Sequence, residues 1–169
     1  YRATAEKMGQ NPATPIGIGS HGFISENSQD ALDIAYPAHS EAMNRIGRER
    51  GWGPTTYEHF RQEVEHGSLY VGSPETVARK IADTVATLGI QRFDLKYSTG
   101  PLPHEKLMRA IELYGTQVMP RVRELLAERR LRHVAGLGRA AEMPLAGDGD
   151  DVAQFGQSHS QHPSMCRQA

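Results

Sequence analysis

Over residues 16–24 apolar and bare positions alternate. Ile16 and Ile18 share one side with Ser20, while Gly17, Gly19 and His21 share the other. The run predicts a strand with one apolar face and one almost empty face that ends in an imidazole. A second alternation, over residues 91–97, predicts another strand. There Phe93, Leu95 and Tyr97 point one way, and Arg92, Asp94, Lys96 and then Ser98 the other. Between and after these runs the period lengthens to three and four. Ala31, Ala35, Ala38, Ala42 and Ile46 predict a helix capped by Ser28, with Asp30 in its first turn. Pro37 is expected to kink or interrupt it, and it ends near Gly47 or Gly51. Residues 51–54 read as loop. Thr56 caps a short helix with Tyr57, Phe60 and Val64 on one side, closed by Gly67. Ser68, Leu69, Tyr70, Val71 and Gly72 lead into Ser73-Pro74-Glu75, a strong helix start. Val77, Ile81, Val85 and Leu88 form that helix's buried stripe, and Gly89 stops it. A turn at residues 100–103 precedes a long helix with Leu107, Ile111, Tyr114 and Val118 on one face, and Pro120 starts a last helical segment to about Arg130. At the other end, Tyr1, Ala5 and Met8 have helical spacing and Gly9 can supply a left-handed stop, so residues 1–9 read as the last turns of a helix.

Strands alternating with helices argue for an α/β fold with a parallel sheet. Two strands leave open edges and are marginal as a sheet by themselves. A chain that enters a helix midway and carries two strands is therefore expected to be part of a larger protein. After residue 132 the periodicity stops. Of the 37 residues 133–169, only Val134, Leu137, Leu145, Val152 and Phe155 come from the Leu/Ile/Val/Phe set. Residues 1–132 accordingly read as the structured part and 133–169 as a low-complexity, disordered tail.

Composition narrows the function. Among 169 residues, 19 are Lys or Arg and 20 are Asp or Glu, a net charge of −1. Arg139 and Arg167 against Glu142, Asp148, Asp150 and Asp151 put −2 of this in the tail and leave +1 on the rest. There is no basic excess to neutralise phosphates, so no nucleic-acid partner is expected. The lone Cys166 has no partner for an internal disulfide. No apolar run reaches the roughly 18 residues of a membrane helix. No signal peptide is apparent, and a cytoplasmic location is the expectation.

Residues 17–22 match G-x-G-x-x-G, but a dinucleotide fingerprint needs its glycines in the turn between a strand and a helix. Here they alternate within the strand, and Phe23 and Ile24 extend it. A (β/α)8 barrel uses the alternation better. Ile16 and Ile18 then face the helices, Gly17 and Gly19 face the interior, and His21 points inward at the carboxyl end, where such barrels place their active sites. Lys96 and Ser98 sit in the same way at the end of the second strand. Histidine transfers protons near neutral pH, and lysine can hold an anion or depress a neighbour's pKa. The plain alternatives are a hydrogen-bonded structural histidine and an Asp94–Lys96 ion pair. Residues 72–75 have the form of an anion cradle at a helix start, but Glu75 would repel a phosphate and ordinary capping is the better reading. Arg45, Arg48, Arg50 and Trp52 form either a substrate rim or a solvated helix end. His159 and His162 offer at most a weak metal site without orientation, and no metal is expected.

Ile18-Gly19-Ser20-His21-Gly22-Phe23-Ile24 and Met43-Asn44-Arg45-Ile46-Gly47-Arg48-Glu49-Arg50-Gly51-Trp52 resemble one branch of the luciferase-like monooxygenases. So do Val71-Gly72-Ser73-Pro74-Glu75-Thr76-Val77, Leu102-Pro103-His104-Glu105-Lys106 and Arg109-Ala110-Ile111-Glu112-Leu113-Tyr114-Gly115. The likeness runs in order from Tyr1 to about Leu126. It implies the C-terminal portion of a (β/α)8 TIM barrel, about two strands and their helices, from a flavin-dependent enzyme. Reduced FMN with O2 as co-substrate would oxygenate a small organic substrate, a separate flavin reductase would supply the cofactor, and the full-length protein would be a homo- or hetero-oligomer. His21 would be the catalytic proton donor or hydrogen-bond partner, and Lys96 and Ser98 would bind the cofactor. Asp94 and Lys96 are more polar than the family leads one to expect on that strand. Two other functions remain open: a non-catalytic truncated barrel fragment, and a deazaflavin- or nicotinamide-dependent oxidoreductase.

Overall fold

The alternation at residues 16–24 does produce a strand, and capped helices flank it where the polar signals stand. A computed structural model describes residues 1–11, 13–98 and 100–141, with no side chain described beyond residue 133. The first helix, α1 (Arg2–Lys7), gives way to Gly9 at φ 71°. Of its helical stripe only Ala5 is buried; Tyr1 and Met8 are exposed. Strand β1 (Gly17–Ile24) is followed by α2 (Ser28–Arg50), α3 (Tyr57–Glu65), β2 (Tyr70–Gly72), α4 (Pro74–Leu88), β3 (Arg92–Lys96) and α5 (His104–Leu113). A π-helical turn, Tyr114–Val118, joins α5 to α6 (Met119–Ala141).

The sheet has three strands in the order β2-β1-β3, all parallel. The third strand, β2, is a correction to the two-strand reading. Its three residues are all buried and show no alternation. It is a strand because Tyr70, Val71 and Gly72 pair with Gly22, Phe23 and Ile24. Three residues are too few to show a period in sequence.

Several helix ends also differ from the pattern. Asn27, not Ser28, caps α2, accepting from the Asp30 N–H at 2.8 Å. Ser28 instead reaches across to α4, where its Oγ accepts from the Ser73 N–H at 3.0 Å. Pro37 does not interrupt α2, which runs unbroken to Gly51 at φ 81°. Ala31, Ala35, Ala38 and Ala42 are buried on one side of it and hold the helix against its neighbours through the position where one backbone bond is missing. Ser73 caps α4 as expected, with Pro74 at its first position and Gly89 at φ 59° after it. Leu88 falls outside the buried stripe of α4 and is exposed, whereas Val77, Ala78, Ile81 and Ala82 are buried.

The α5–α6 face follows from the π turn. Ala110 and Leu113 are buried before it, and Val118, Val122 and Leu125 after it, while Ile111 is exposed. The wide turn inserts a five-residue step between Leu113 and Val118. A uniform α-helical period therefore selects the wrong stripe from that point back. The last helix also continues to Ala141, past the end near Arg130 that the pattern suggests. The rest of the segment read as a tail lies outside the described residues.

The core joins Phe23 and Ile24 of β1, Tyr70 and Val71 of β2, Val77 and Ile81 of α4, and Leu113, Val118 and Leu125 behind them. Each such side chain removed from water contributes roughly 1.5–3 kcal/mol. Arg121 joins α4 to α6 at the rim, with its Nε 2.9 Å from Glu75 Oε2, and Arg129 pairs with Asp83.

Candidate functional site

The parallel register of β1 and β3 sets Gly17 beside Arg92, Gly19 beside Asp94 and His21 beside Lys96. These six residues are exposed, whereas Ile18, Ser20, Phe93 and Leu95 between them are half-buried. One face of the sheet thus lies open and polar while the other packs. His21 and Lys96, widely separated in sequence, come together, and Ser98 stands exposed two residues beyond Lys96. Asp94 pairs with Arg92 (Nε–Oδ2 3.0 Å), not with Lys96. The two glycines leave the floor of this face without side chains. A Cβ on Gly19 would meet Lys96 Cε at 3.4 Å, and one on Gly17 would meet Arg92 Cβ at 3.1 Å. The cationic chains occupy the space the glycines vacate.

The open face does not extend along the whole strand. Phe23, two residues after His21 and on the same side by the pleat, is 2% exposed. His21 and Phe23 line a narrow crevice with Ala35 and His39 of α2, Phe60 of α3 and Leu102. Its volume of about 20 Å3 accommodates one water molecule. In the barrel reading this face looks into the interior. Here α2 and α3 cover its carboxyl-terminal part, because the apolar Phe23 must be buried by whatever packs against β1.

Beside the crevice lies an open cleft of about 520 Å3, within the range of small-molecule sites. His21 and His39 reach it from β1 and α2, His59 and Glu63 from α3, and Trp52 and Thr55 from the intervening loop. His59 and Glu63 are one helical turn apart and so share a side of α3. Thr56 starts that helix, with its Oγ1 accepting from the His59 N–H at 3.2 Å. The loop is tied to α2 by the Thr55 N–H, which donates to Asn44 Oδ1 at 2.7 Å.

Two groups here have shifted acidities. The His39 pKa is lowered, chiefly by burial and further by the His21 and His59 imidazoles, with Glu63 opposing. The Glu63 carboxylate is held below its usual range chiefly by the Ser68 N–H, with burial opposing next and the Ser68 hydroxyl then adding to the lowering; both donors lie 3.1 Å from Oε2. Lys80 braces the same corner from α4. Its Nζ donates to the carbonyls of Val64 at 2.6 Å and Leu69 at 2.9 Å and lies 5.1 Å from the Tyr70 ring centroid. Burial lowers its pKa.

His39, His59, Glu63 and Lys80 were not among the residues the sequence singled out. The turn spacing of His59 and Glu63 is a signal, but the approach of α2 to α3 is not encoded in any local period. The other candidates resolve simply. At residues 72–75 the Ser73 Oγ accepts from the Thr76 N–H at 3.3 Å, an ordinary cap, and Glu75 pairs with Arg121 and Arg79. Arg45, Arg48 and Arg50 are exposed at the end of α2, and the Arg50 guanidinium carbon lies 5.9 Å from the Trp52 ring centroid. His159, His162 and Cys166 lie outside the described residues. Among the described residues no group of three or more His, Cys, Asp or Glu is placed to hold a metal ion. No described helix is long and apolar enough to cross a membrane.

Comparison with solved structures gives a fold likeness to the monooxygenase RslO1 from Streptomyces bottropensis, at TM-score 0.55 and 23% identity over 71% of this chain. The chain shares part of the fold of a monooxygenase. It spans about a third of that protein's length, 35%. Weaker likenesses are to the oxygenating constituent of 3,6-diketocamphane monooxygenase from the CAM plasmid of Pseudomonas putida, a type II Baeyer-Villiger monooxygenase in complex with FMN, and to the long-chain alkane monooxygenase LadA. The first has TM-score 0.49 and 16% identity over 71% of this chain and 37% of that one. The second has TM-score 0.45 and 20% identity over 73% and 32%. No protein-family model matches the sequence, and no curated protein does.

Proposed function

We propose that residues 1–132 are the C-terminal part of a luciferase-like (β/α)8 barrel, with residues 133–169 outside it. In this reading the whole enzyme is a cytoplasmic flavin-dependent monooxygenase that oxygenates an organic substrate with reduced FMN and O2. The carrying observation is the β1–β3 register, which sets His21 beside Lys96 on one exposed face of the sheet with Gly17 and Gly19. The part-fold likeness to a monooxygenase supports it.

The residues present fit the cofactor's chemistry. A flat ring system needs room to lie against the sheet; Gly17 and Gly19 add no side chain of their own there, and the aliphatic stems of Arg92 and Lys96 beside them would border the ring. The edge of a reduced flavin carries negative charge, which an ammonium and an imidazole stabilise. Lys96 would hold that charge, and Ser98 would donate a hydrogen bond from its hydroxyl. Reduced FMN, when bound, supplies the electrons that activate O2. His21 would hold or release a proton at an imidazole nitrogen facing the substrate, and the α2–α3 wall would keep bulk water from that side. A separate reductase would deliver the reduced flavin, and the complete protein would assemble as an oligomer.

Titrating the chain anaerobically with reduced FMN and following the heat of binding tests the reading. Lys96→Ala should weaken FMN binding by about tenfold or more, the worth of a hydrogen bond to a charged group. An unchanged affinity would sink the assignment of Lys96. Tighter binding of a deazaflavin or NADPH than of FMN would move the chain to the other oxidoreductase class.

A further inference from the structure

The cleft between α2 and α3 carries chemistry that cofactor binding at His21 and Lys96 does not use. Met43, Trp52, Pro54 and Leu69 give it apolar surface, and His39, His59 and Glu63 give it polar surface. Trp52 is seated on α2. Its ring lies on α2 at Gly47, where a Cβ would stand 2.4 Å from both Cδ1 and Nε1. Its Nε1 donates to the Met43 carbonyl at 3.4 Å. The residue nevertheless stays 47% exposed and lines the cleft, so it presents aromatic surface there from a position fixed by Gly47 and the Met43 carbonyl.

The polar groups select the guest. Glu63 is ionised and fixed by two donors from Ser68, so an anionic guest would meet a stationary like charge. His39 packs on the Phe60 ring at 5.3 Å between centroids and borders both the crevice and the cleft. The groups that face it are His21 from β1 and His59 and Glu63 from α3. Burial and its two histidine neighbours keep it uncharged at neutral pH, and a neutral imidazole offers one nitrogen that accepts a hydrogen bond from a hydroxyl.

We propose that this cleft binds a neutral, planar aromatic molecule bearing a phenolic hydroxyl, with the ring on Trp52 and the hydroxyl donating to His39. That molecule is the organic substrate of the site described above. The substrate role rests on the flavin reading, whereas the binding itself does not.

Calorimetry of the flavin-free chain with 2-naphthol, 2-methoxynaphthalene and 2-naphthoate separates the cases. 2-Naphthol should bind about tenfold more tightly than the methyl ether, the value of one hydrogen bond that the ether cannot donate. Naphthoate should bind most weakly. His39→Leu should abolish the preference for hydroxyl over ether, and His39→Gln should keep part of it. Trp52→Leu should weaken naphthol and ether alike. Equal affinity for naphthol and its ether overturns the assignment. So does a preference that survives His39→Leu, tightest binding of naphthoate, or no binding at all. Circular dichroism checks the fold of each variant, and the three wild-type titrations decide the question even if a variant fails to fold. Loss of FMN binding with retained naphthol selectivity removes the flavin reading alone; the reverse removes only this one.

Discussion

The α4–α6 side of the molecule and the α2–α3 side are built by different means. On the first, branched side chains fill the space around the buried Ala78, Ala82 and Ala110: Val77, Ile81, Leu113, Val118 and Leu125 are buried there, and charges such as Arg121 and Glu75 meet at the rim. On the second, α2 turns a row of alanines inward, and two half-buried polar groups stand on this side: His39 of α2, and Lys80, which reaches from α4 to the carbonyls of Val64 and Leu69. Alanine allows close approach but supplies little apolar area, so this side gains less from burial. It holds polar groups at fixed positions instead. A dry core confers stability, and a thinly packed layer beside a sheet confers a place for chemistry.

The largest test of that contrast is Leu113→Ala, which should destabilise the chain by about 2–5 kcal/mol in urea denaturation. A loss below about 1 kcal/mol would deny the α4–α6 side its role as the stable half. Lys80→Met should come next, at about 1–3 kcal/mol, because the carbonyls of Val64 and Leu69 lose a charged donor. Rescue of the loss by Lys80→Arg would identify the cap rather than the aliphatic stem as its source. Gly47→Ala should change stability by only about 1 kcal/mol or less, since better helix propensity offsets the contact with Trp52. Yet it should shift the emission of Trp52, the single tryptophan, to the red. Unshifted emission would show that the ring is not seated on Gly47.

The pH profile separates the two sides at a finer scale. The folded-state pKa of His39 is below its ordinary 6.5, so the unfolded chain binds more protons just below that value. Stability should therefore be full above pH 6.5 and decline as pH falls into the window beneath it. Glu63 adds a second decline beneath its ordinary 4.5, where its lowered folded pKa is crossed. His39→Leu should remove the first decline and leave the second, as read by thermal melts across pH. The smallest effect belongs to the rim: Arg121→Ala, at an exposed ion pair, should leave the melting temperature almost where it was.

Much of the scaffold was legible because its signals are local. The alternation at residues 16–24 and 91–97 gave two strands within a residue of their ends. Ser73-Pro74, Gly51 and Gly89 marked helix ends through preferences that act within one turn. The pairing of His21 with Lys96 was not legible in the local pattern, because it depends on β1 and β3 being parallel neighbours, which the register shows. Their chemical roles are a separate question, open to the titrations above. The misreadings share a cause. Pro37 looked disruptive because its missing N–H is local while the packing of the surrounding alanines is not. Ile111 looked buried because a uniform period cannot anticipate a π turn at residues 114–118.

By itself, then, the sequence determined the α/β order, both longer strands, most caps and the placing of His21 and Lys96 on the polar side of their strands. Each of these follows from dihedral preferences and periodicities that span a few residues. The tertiary structure alone decided that Tyr70–Gly72 is a strand, that α2 and α3 cover Phe23, and that His39, His59, Glu63 and Trp52 share one cleft. Those outcomes depend on which distant segments bury each other's apolar surface, an energy that belongs to the pair and is written in neither segment alone.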